Sequence, residues 1–179
     1  MPTVHVTRTY LQMTDPAQLR TSAHQPAGVR LEGVTDCPPE FYRFLYDTVG
    51  REYHWRDRSG WDDAAIRAWF GRPGVLLRVL YREGAPAGYY ELARHRDGSV
   101  EIVYFGLMPG QLGQGFGRFL LEEAVREAWG LGAARVWLHT CTLDGPAALP
   151  NYLKRGFVAF RTEEFDADIS AGSTDALDH

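Results

Sequence analysis

A glycine-rich segment from Pro109 to Gly117 carries the clearest chemical signal in this chain. Gly113, Gly115 and Gly117 alternate with other residues, after a run typical of a strand and before a long amphipathic run. Because glycine has no side chain, the amides here can curl toward one point, and a helix start adds partial positive charge. The segment is therefore predicted to hold phosphate oxygens, with Arg118 adding a charge-assisted hydrogen bond.

Two common nucleotide motifs do not fit this segment. The dinucleotide pattern GxGxxG would need glycine where Arg118 stands, and an acidic residue where His139 and Thr140 stand. The P-loop pattern needs GK[ST] after its glycines, which is absent. Two interpretations remain, a cradle for the pyrophosphate of coenzyme A and a tight glycine turn that binds no ligand.

Two segments of the chain resemble the GNAT acetyltransferase superfamily. The stretch from Leu112 to Gly117 is similar to the family signature R/Q-x-x-G-x-G/A, although leucine replaces the first Arg or Gln. The stretch from Asn151 to Phe157 is similar to the Y-x-x-x-G-F segment near the family's C-terminus. The resemblance covers about residues 76 to 160 and implies an N-acetyltransferase that uses acetyl-CoA and no metal.

The resemblance also implies a route for the cofactor. In this family two parallel strands splay apart and the pantetheine arm of CoA runs through the gap. The glycine at 106 suits a close backbone approach there, and a simple β-bulge is the alternative. The cofactor-binding residues expected on this basis are Phe105, Gly106, Leu107, Leu112, Gly113, Gln114, Gly115, Phe116, Gly117, Arg118 and Asn151.

Acetyl transfer to an amine needs a general acid and a general base. Tyr152 matches the family's acid, since a phenol stays protonated at neutral pH, and the alternative is a tyrosine that only packs on the sheet. Glu101 is the predicted base, because it is expected to share an apolar strand face with Val103, Phe105 and Leu107. A two-residue Asp97-Gly98 turn would instead pair it with Arg94 and make it structural or substrate-binding, with Glu91 as the substitute base.

Residues between two early helices are expected to bind the acceptor. Tyr46 and Trp55 are predicted as walls of the pocket, and Arg58 as a clamp for a carboxylate. A plain connector between helices whose aromatic residues fill the core is the alternative. Asp144 is predicted either to contact the substrate or to cap a helix that begins near Pro146.

Periodicity predicts an α+β class with a mixed sheet covered by helices on both faces. An antiparallel meander precedes a strand–helix–strand unit that requires one parallel pair. The predicted order is a strand at 4–8, helices near 40–49 and 61–70, strands at 75–81, 87–95 and 99–107, a helix at 116–129, a strand at 135–141, a helix at 147–155 and a strand at 157–165.

Length and composition favour one domain over residues 1–165 with a disordered tail over 166–179. The net charge of −4 argues against a nucleic-acid partner, and no run of residues is long and apolar enough to predict a membrane span. Two distant cysteines and scattered histidines predict a reduced, cytoplasmic protein without a metal site. A partner subunit completing the sheet, and hence a homodimer, is a further expectation.

The predicted reaction is acetyl transfer to a small-molecule amine by direct attack in a ternary complex. Transfer through an acetylated Cys141 is the less favoured route. The alternatives are a catalytically silent CoA sensor and an acetyltransferase that acts on a protein or peptide amine.

Overall fold

The computed structural model describes residues 3–169, which form a seven-stranded sheet with helices on both faces. This agrees with the α+β mixed sheet predicted from the sequence. The elements are β1 (Thr3–Met13), β2 (Val29–Val34), α1 (Pro39–Gly50), α2 (Asp63–Phe70), β3 (Val75–Arg82), β4 (Ala85–Arg94), β5 (Ser99–Leu107), α3 (Phe116–Gly130), β6 (Arg135–Cys141), α4 (Ala148–Lys154) and β7 (Val158–Asp168). No helix within residues 3–169 is both long enough and apolar enough to cross a membrane.

The strand order is β2-β3-β4-β5-β6-β1-β7, and β5 and β6 form the parallel pair. The first strand thus lies between β6 and β7 and runs antiparallel to both. The outer strands of the sheet are β2 and β7, so the predicted partner subunit would pair with one of these edges. A homodimer stays a prediction.

The boundary predicted at residue 165 falls inside the last strand. β7 continues to Asp168, which pairs with Thr3, so residues 166–168 belong to the sheet and not to a tail. The acidic composition of these residues predicted a disordered tail, but their pairing with β1 holds them in the sheet. The remainder of the predicted tail, residues 170–179, lies outside the described residues.

The turn between β4 and β5 differs from the predicted two-residue turn. His95 and Ser99 close it, with a hydrogen bond of 2.8 Å from the His95 amide to the Ser99 carbonyl. The loop therefore holds three residues and ends on Gly98, whose φ of 83° allows the bulge that such turns need. The register moves by one residue, so Glu101 pairs with Ala93 and the predicted pairing with Arg94 is wrong.

Two apolar cores flank the sheet. α3 and the tyrosine of α4 pack on one face, where Leu120, Leu121 and Val125 are fully buried. α1 and α2 pack on the other face, around Leu45 and Ile66. We call these the α3 face and the α1 face. Because α3 packs on one face and α1 and α2 pack on the other, the glycine loop and the α1–α2 connection lie on opposite sides of β5 and β6.

Candidate active site

The glycine loop meets the start of α3 as the sequence predicts. Gly113 and Gly115 have φ of 76° and 83°, and a Cβ at Gly113 would meet nothing within 4 Å. Gly115 is the N-cap residue of α3, and no side chain caps the helix. The amides of its first turn thus remain for an external acceptor. This stretch contains seven of the predicted cofactor residues, Leu112, Gly113, Gln114, Gly115, Phe116, Gly117 and Arg118.

Two arginines stand beside this loop. Arg118 in the first turn of α3 donates to the His24 carbonyl at 3.2 Å. Arg82 at the end of β3 donates to the Gln114 side chain at 2.8 Å and lies 5.1 Å from the Phe116 ring centroid. Arg82 was not among the predicted residues, because it belongs to an earlier strand, β3, and no local motif marks it. Together these arginines add positive charge where the predicted phosphates would lie.

β5 and β6 separate beyond a short paired segment. They pair only from Ser99 to Glu101 on β5, although β5 continues to Leu107 and β6 to Cys141. The predicted pantetheine-binding residues lie on this unpaired part of β5. At residue 106 an added Cβ would lie 2.4 Å from Val49 of α1, so glycine is needed for packing and the bulge alternative does not apply there.

Tyr152 lies on α4 beside the unpaired part of β5. Its surface is 7% exposed, and its ring stands edge-on to Phe105, with 6.1 Å between ring centroids. Among residues 3–169 its hydroxyl has no hydrogen-bond partner, so the phenol can donate its proton to a ligand. Burial first, and then the charges of Asp144 and Tyr53, raise the pKa of Tyr152 above its ordinary value. Its neighbour Asn151 is half-buried, and its predicted contact with the cofactor stays a prediction.

The position of α4 is fixed by two contacts. Arg155 donates to the buried Glu122 of α3 at 2.9 Å. At Gly156 a Cβ would lie 1.9 Å from the Gln18 carbonyl oxygen, so only glycine allows this close approach. The glycine of the tyrosine motif therefore has a packing reason, which is to hold α4 and Tyr152 against the sheet.

Asp144 lies in the turn between β6 and α4. Its Oδ2 accepts hydrogen bonds from the Thr140 hydroxyl at 2.5 Å and from the Cys141 amide at 2.9 Å. It therefore closes the end of β6 and does not cap α4, which has no side-chain cap. Next to it is a cavity of about 370 Å³ with a hydroxyl-rich wall, lined by Thr7, Thr9, Thr140, Cys141, Thr142, Asp144, Gly145, Pro146 and Leu149.

Glu101 is the last β5 residue paired with β6. The prediction that Glu101 shares a strand face with Phe105 and Leu107 is wrong. Val103 is an extra residue in β5 that has no partner on β4, and it forms a β-bulge. This bulge puts Glu101 on the α1 face with Tyr104, while Phe105 and Leu107 pack on the α3 face. Its partner is His95, whose Nε2 lies 2.8 Å from Glu101 Oε2.

Arg58 does not line an open pocket. Its side chain is 6% exposed and forms an ion pair with the fully buried Glu91 at 2.7 Å. Burial acts to lower the pKa of Arg58, but the Glu91 carboxylate more than offsets this and keeps the guanidinium charged. The predicted clamp is therefore wrong, since this charge is neutralised inside the protein. Glu91 is likewise committed, to Arg58, Trp69 and Tyr42, and is excluded as the substitute base.

Aromatic residues of the α1–α2 connection cover the α1 face of β5. Trp55 packs 4.9 Å from the Tyr104 ring, and Tyr53 continues this wall to Gly145 in the β6–α4 turn. Tyr46 lies behind them, 3% exposed, with its hydroxyl bound by the Arg58 amide, so the expectation that it lines a pocket is wrong. Tyr104 was not among the predicted residues, because the fold and not a local motif brings it beside Trp55.

Two other chemical possibilities can be compared with the structure. Cys141 is half-buried, and burial first, then Asp144, raises the pKa of its thiol, which disfavours the nucleophilic thiolate. Within residues 3–169 no three His, Cys, Asp or Glu side chains gather into a group that could hold a metal ion.

Comparison with known proteins places this architecture in a family. The model of the acetyltransferase (GNAT) family matches residues 41–157, and the chain belongs to that family. The mycothiol acetyltransferase of Saccharopolyspora erythraea is 29% identical over 119 residues, which are 63% of this chain and 39% of the relative.

Solved structures share the fold at low sequence identity. A GCN5-related N-acetyltransferase from Kribbella flavida has a TM-score of 0.65 and 21% identity, over 94% of this chain and 61% of its own. An aminoglycoside acetyltransferase from an uncultured soil metagenomic sample, in complex with trehalose, has a TM-score of 0.57 and 15% identity, over 72% of this chain and 87% of its own. This chain thus spans less than two thirds of the length of the mycothiol acetyltransferase and of the Kribbella protein.

Proposed function

We propose that this protein transfers the acetyl group of acetyl-CoA to a primary amine on a small molecule, by direct attack in a ternary complex. The observation that carries the proposal is the buried Tyr152 phenol, which has no hydrogen-bond partner among residues 3–169 and lies against the unpaired part of β5. The glycine loop and the gap between β5 and β6 support the binding of CoA along one route. Each of these features has a part in acetyl transfer.

The residues present fit acetyl-CoA. The uncapped amides of α3, with Arg82 and Arg118 beside them, would hold the pyrophosphate. The main chain of Phe105, Gly106 and Leu107 would hold the pantetheine arm, since this edge of β5 has no strand partner. Bound acetyl-CoA supplies a thioester whose acetyl carbon an amine can attack.

Two side chains would move the protons. A primary amine with a pKa near ~10.4 is protonated at neutral pH, so it must lose a proton before it can attack. Glu101 Oε1 would accept that proton, because His95 occupies only Oε2. Tyr152 Oη would hold the proton that the departing sulfur needs, and its raised pKa keeps it protonated. The raised pKa of Cys141 supports direct attack over an acetyl-cysteine intermediate.

Three observations support a small acceptor. The cavity beside Asp144 has a volume of about 370 Å³, which suits a small ligand. Its threonine hydroxyls suit an amine that carries polar groups. The relative from Saccharopolyspora erythraea is named for mycothiol, a small molecule.

The test is a screen of amines with acetyl-CoA that measures thiol release and detects the acetylated product by mass spectrometry. We expect turnover with at least one polar small amine and a ternary-complex kinetic pattern. Calorimetric binding of CoA without turnover on any amine would indicate a sensor and contradict the proposal. Turnover on peptides alone would contradict the small-molecule acceptor, and an acetylated Cys141 would contradict direct attack.

A further inference from the structure

We propose that His95 is the proton exit of this active site, a positioning residue that takes the amine's proton from Glu101 and passes it to solvent. The inference depends on the proposed acetyl transfer and extends it to a residue that no motif marks. It follows from one hydrogen bond, from the support of the His95 ring and from the proton balance of the reaction.

The hydrogen bond connects a half-exposed ring to a nearly buried carboxylate. His95 Nε2 lies 2.8 Å from Glu101 Oε2, and the two side chains are 42% and 13% exposed. The carboxylate stands where β5 leaves β6, and the imidazole is the more exposed of the two groups. A proton on Glu101 thus has a direct path through Nε2, while the ring's other nitrogen can release one to solvent.

The His95 ring is held in this position. It contacts the Trp137 ring in a tilted arrangement, with 5.6 Å between ring centroids and 36° between the ring planes, and Trp137 is the β6 residue that pairs with Glu101. The Trp137 indole donates to the Ser99 hydroxyl at 3.2 Å, and that hydroxyl donates to Asp97 at 2.7 Å. The three-residue turn, closed by the bond from the His95 amide, completes the support. Such a frame keeps an imidazole in one orientation, as a proton relay requires.

Proton balance requires an exit of this kind. The overall reaction converts R–NH₃⁺ and the acetyl thioester into the amide, CoA thiol and one free proton. The amine nitrogen forms the C–N bond as the C–S bond breaks, and the sulfur takes a proton from Tyr152. Of the two protons lost by the nitrogen, one replaces the Tyr152 proton and the other must reach water. Glu101 accepts the proton that must reach water, which the amine loses before it attacks, and His95 carries this proton outward, so that Glu101 can accept another in the next cycle.

The charged and titratable groups around this pair are few in the described part of the chain. Asp97 in the turn is bound by Ser99, which contributes most to lowering its pKa, with Arg135 and His95 adding to this. Arg135 on β6 lies 5.7 Å from the Trp137 ring, and Tyr10 on β1 stacks on the same indole. Arg94 pairs with Val100 and so faces the other side of the sheet. His95 is the titratable group that touches Glu101.

The experiment compares two substitutions at 95 with a matched histidine. His95→Gln keeps a side chain that can hydrogen-bond to Glu101 but cannot relay a proton, and we expect its kcat to fall about tenfold or more with little change in the amine KM. His95→Ala should show the same loss of kcat and should regain rate when imidazole is added. This gain in rate should shrink when the pH falls below the pKa of imidazole. His5→Gln is the control, because His5 also binds a carboxylate, that of Asp166 at 3.0 Å, away from this pair. CoA affinity by calorimetry should match the wild type in all three.

Three results would overturn the inference while acetyl transfer stands. These are a His95→Gln enzyme with wild-type kcat, a His95→Ala enzyme that binds CoA normally but does not respond to imidazole, and a His5→Gln enzyme that slows equally. If the wild-type protein acetylates no amine, the proposed function fails and the relay fails with it.

Discussion

Replacing Tyr152 with phenylalanine separates catalysis from stability in this protein. The substitution removes a hydroxyl that no residue within 3–169 binds, so no internal hydrogen bond is lost. The ring keeps its edge contacts with Phe105 and Phe157. We therefore expect the free energy of unfolding to change by less than about 1 kcal/mol.

The effect on rate should be much larger. A general acid contributes about 10²-fold or more, which corresponds to at least about 2.7 kcal/mol of transition-state stabilisation. Thiol release at saturating amine and acetyl-CoA measures this loss as a fall in kcat. Because the pKa of Tyr152 is raised, chiefly by burial, the acid stays protonated up to pH 10 and above, so its ionisation should not slow the wild type between pH 8 and 10.

Tyr90→Phe is the matched contrast. Tyr90 is buried, and its hydroxyl donates to Glu127 at 2.6 Å, so its removal should cost about 2 kcal/mol, or about 4 to 8 °C in Tm, and leave kcat unchanged. Unchanged turnover in Tyr152→Phe would refute the acid role assigned to Tyr152, and a Tm loss as large as that of Tyr90→Phe would show that its hydroxyl has an internal partner.

Three further substitutions test the structure around the site. Gly156→Ala would force a Cβ against the Gln18 carbonyl oxygen and should cost at least about 2 kcal/mol, measured by denaturant unfolding; a stable variant would contradict the close approach. Arg58→Met leaves a buried carboxylate unpaired and should destabilise by about 3 to 5 kcal/mol, so an unchanged Tm would exclude a buried ion pair. Arg82→Ala should weaken CoA binding about tenfold in calorimetry, whereas Arg126→Ala, on the exposed side of α3, should bind as the wild type; equal affinities would remove Arg82 from the site.

The sequence predicted well the elements whose signals are local. The glycines before α3 and the aspartate that caps α2 mark their helix starts directly, and Asp62 accepts from the Ala65 amide at 2.8 Å. Strand β2 was missed, although Val29 and Leu31 alternate with polar residues. It is short and follows a long irregular stretch, and its pairing with β3 is what defines it.

The errors at the site come from single-residue shifts that local pattern cannot show. The β4–β5 turn has one residue more than predicted, so Glu101 does not pair with Arg94. The unpaired Val103 puts the residues after it on the opposite face from the predicted one. The role of Arg58 depended on a partner in a strand about thirty residues away, which no spacing rule identifies. Tertiary contacts therefore decide which charged side chains are available for chemistry and which are paired with an opposite charge inside the protein.

The insertion of β1 between β6 and β7 has a consequence for how the chain acquires its shape. β1 is synthesised before the other strands described here, and its two partner strands, β6 and β7, are synthesised after them. Arg8 pairs with Cys141 on one side and with Glu163 on the other. During synthesis β1 therefore stays unpaired until nearly the whole domain has left the ribosome. Because Thr7 and Thr9 also line the cavity beside Asp144, that cavity is completed only when this late closure occurs.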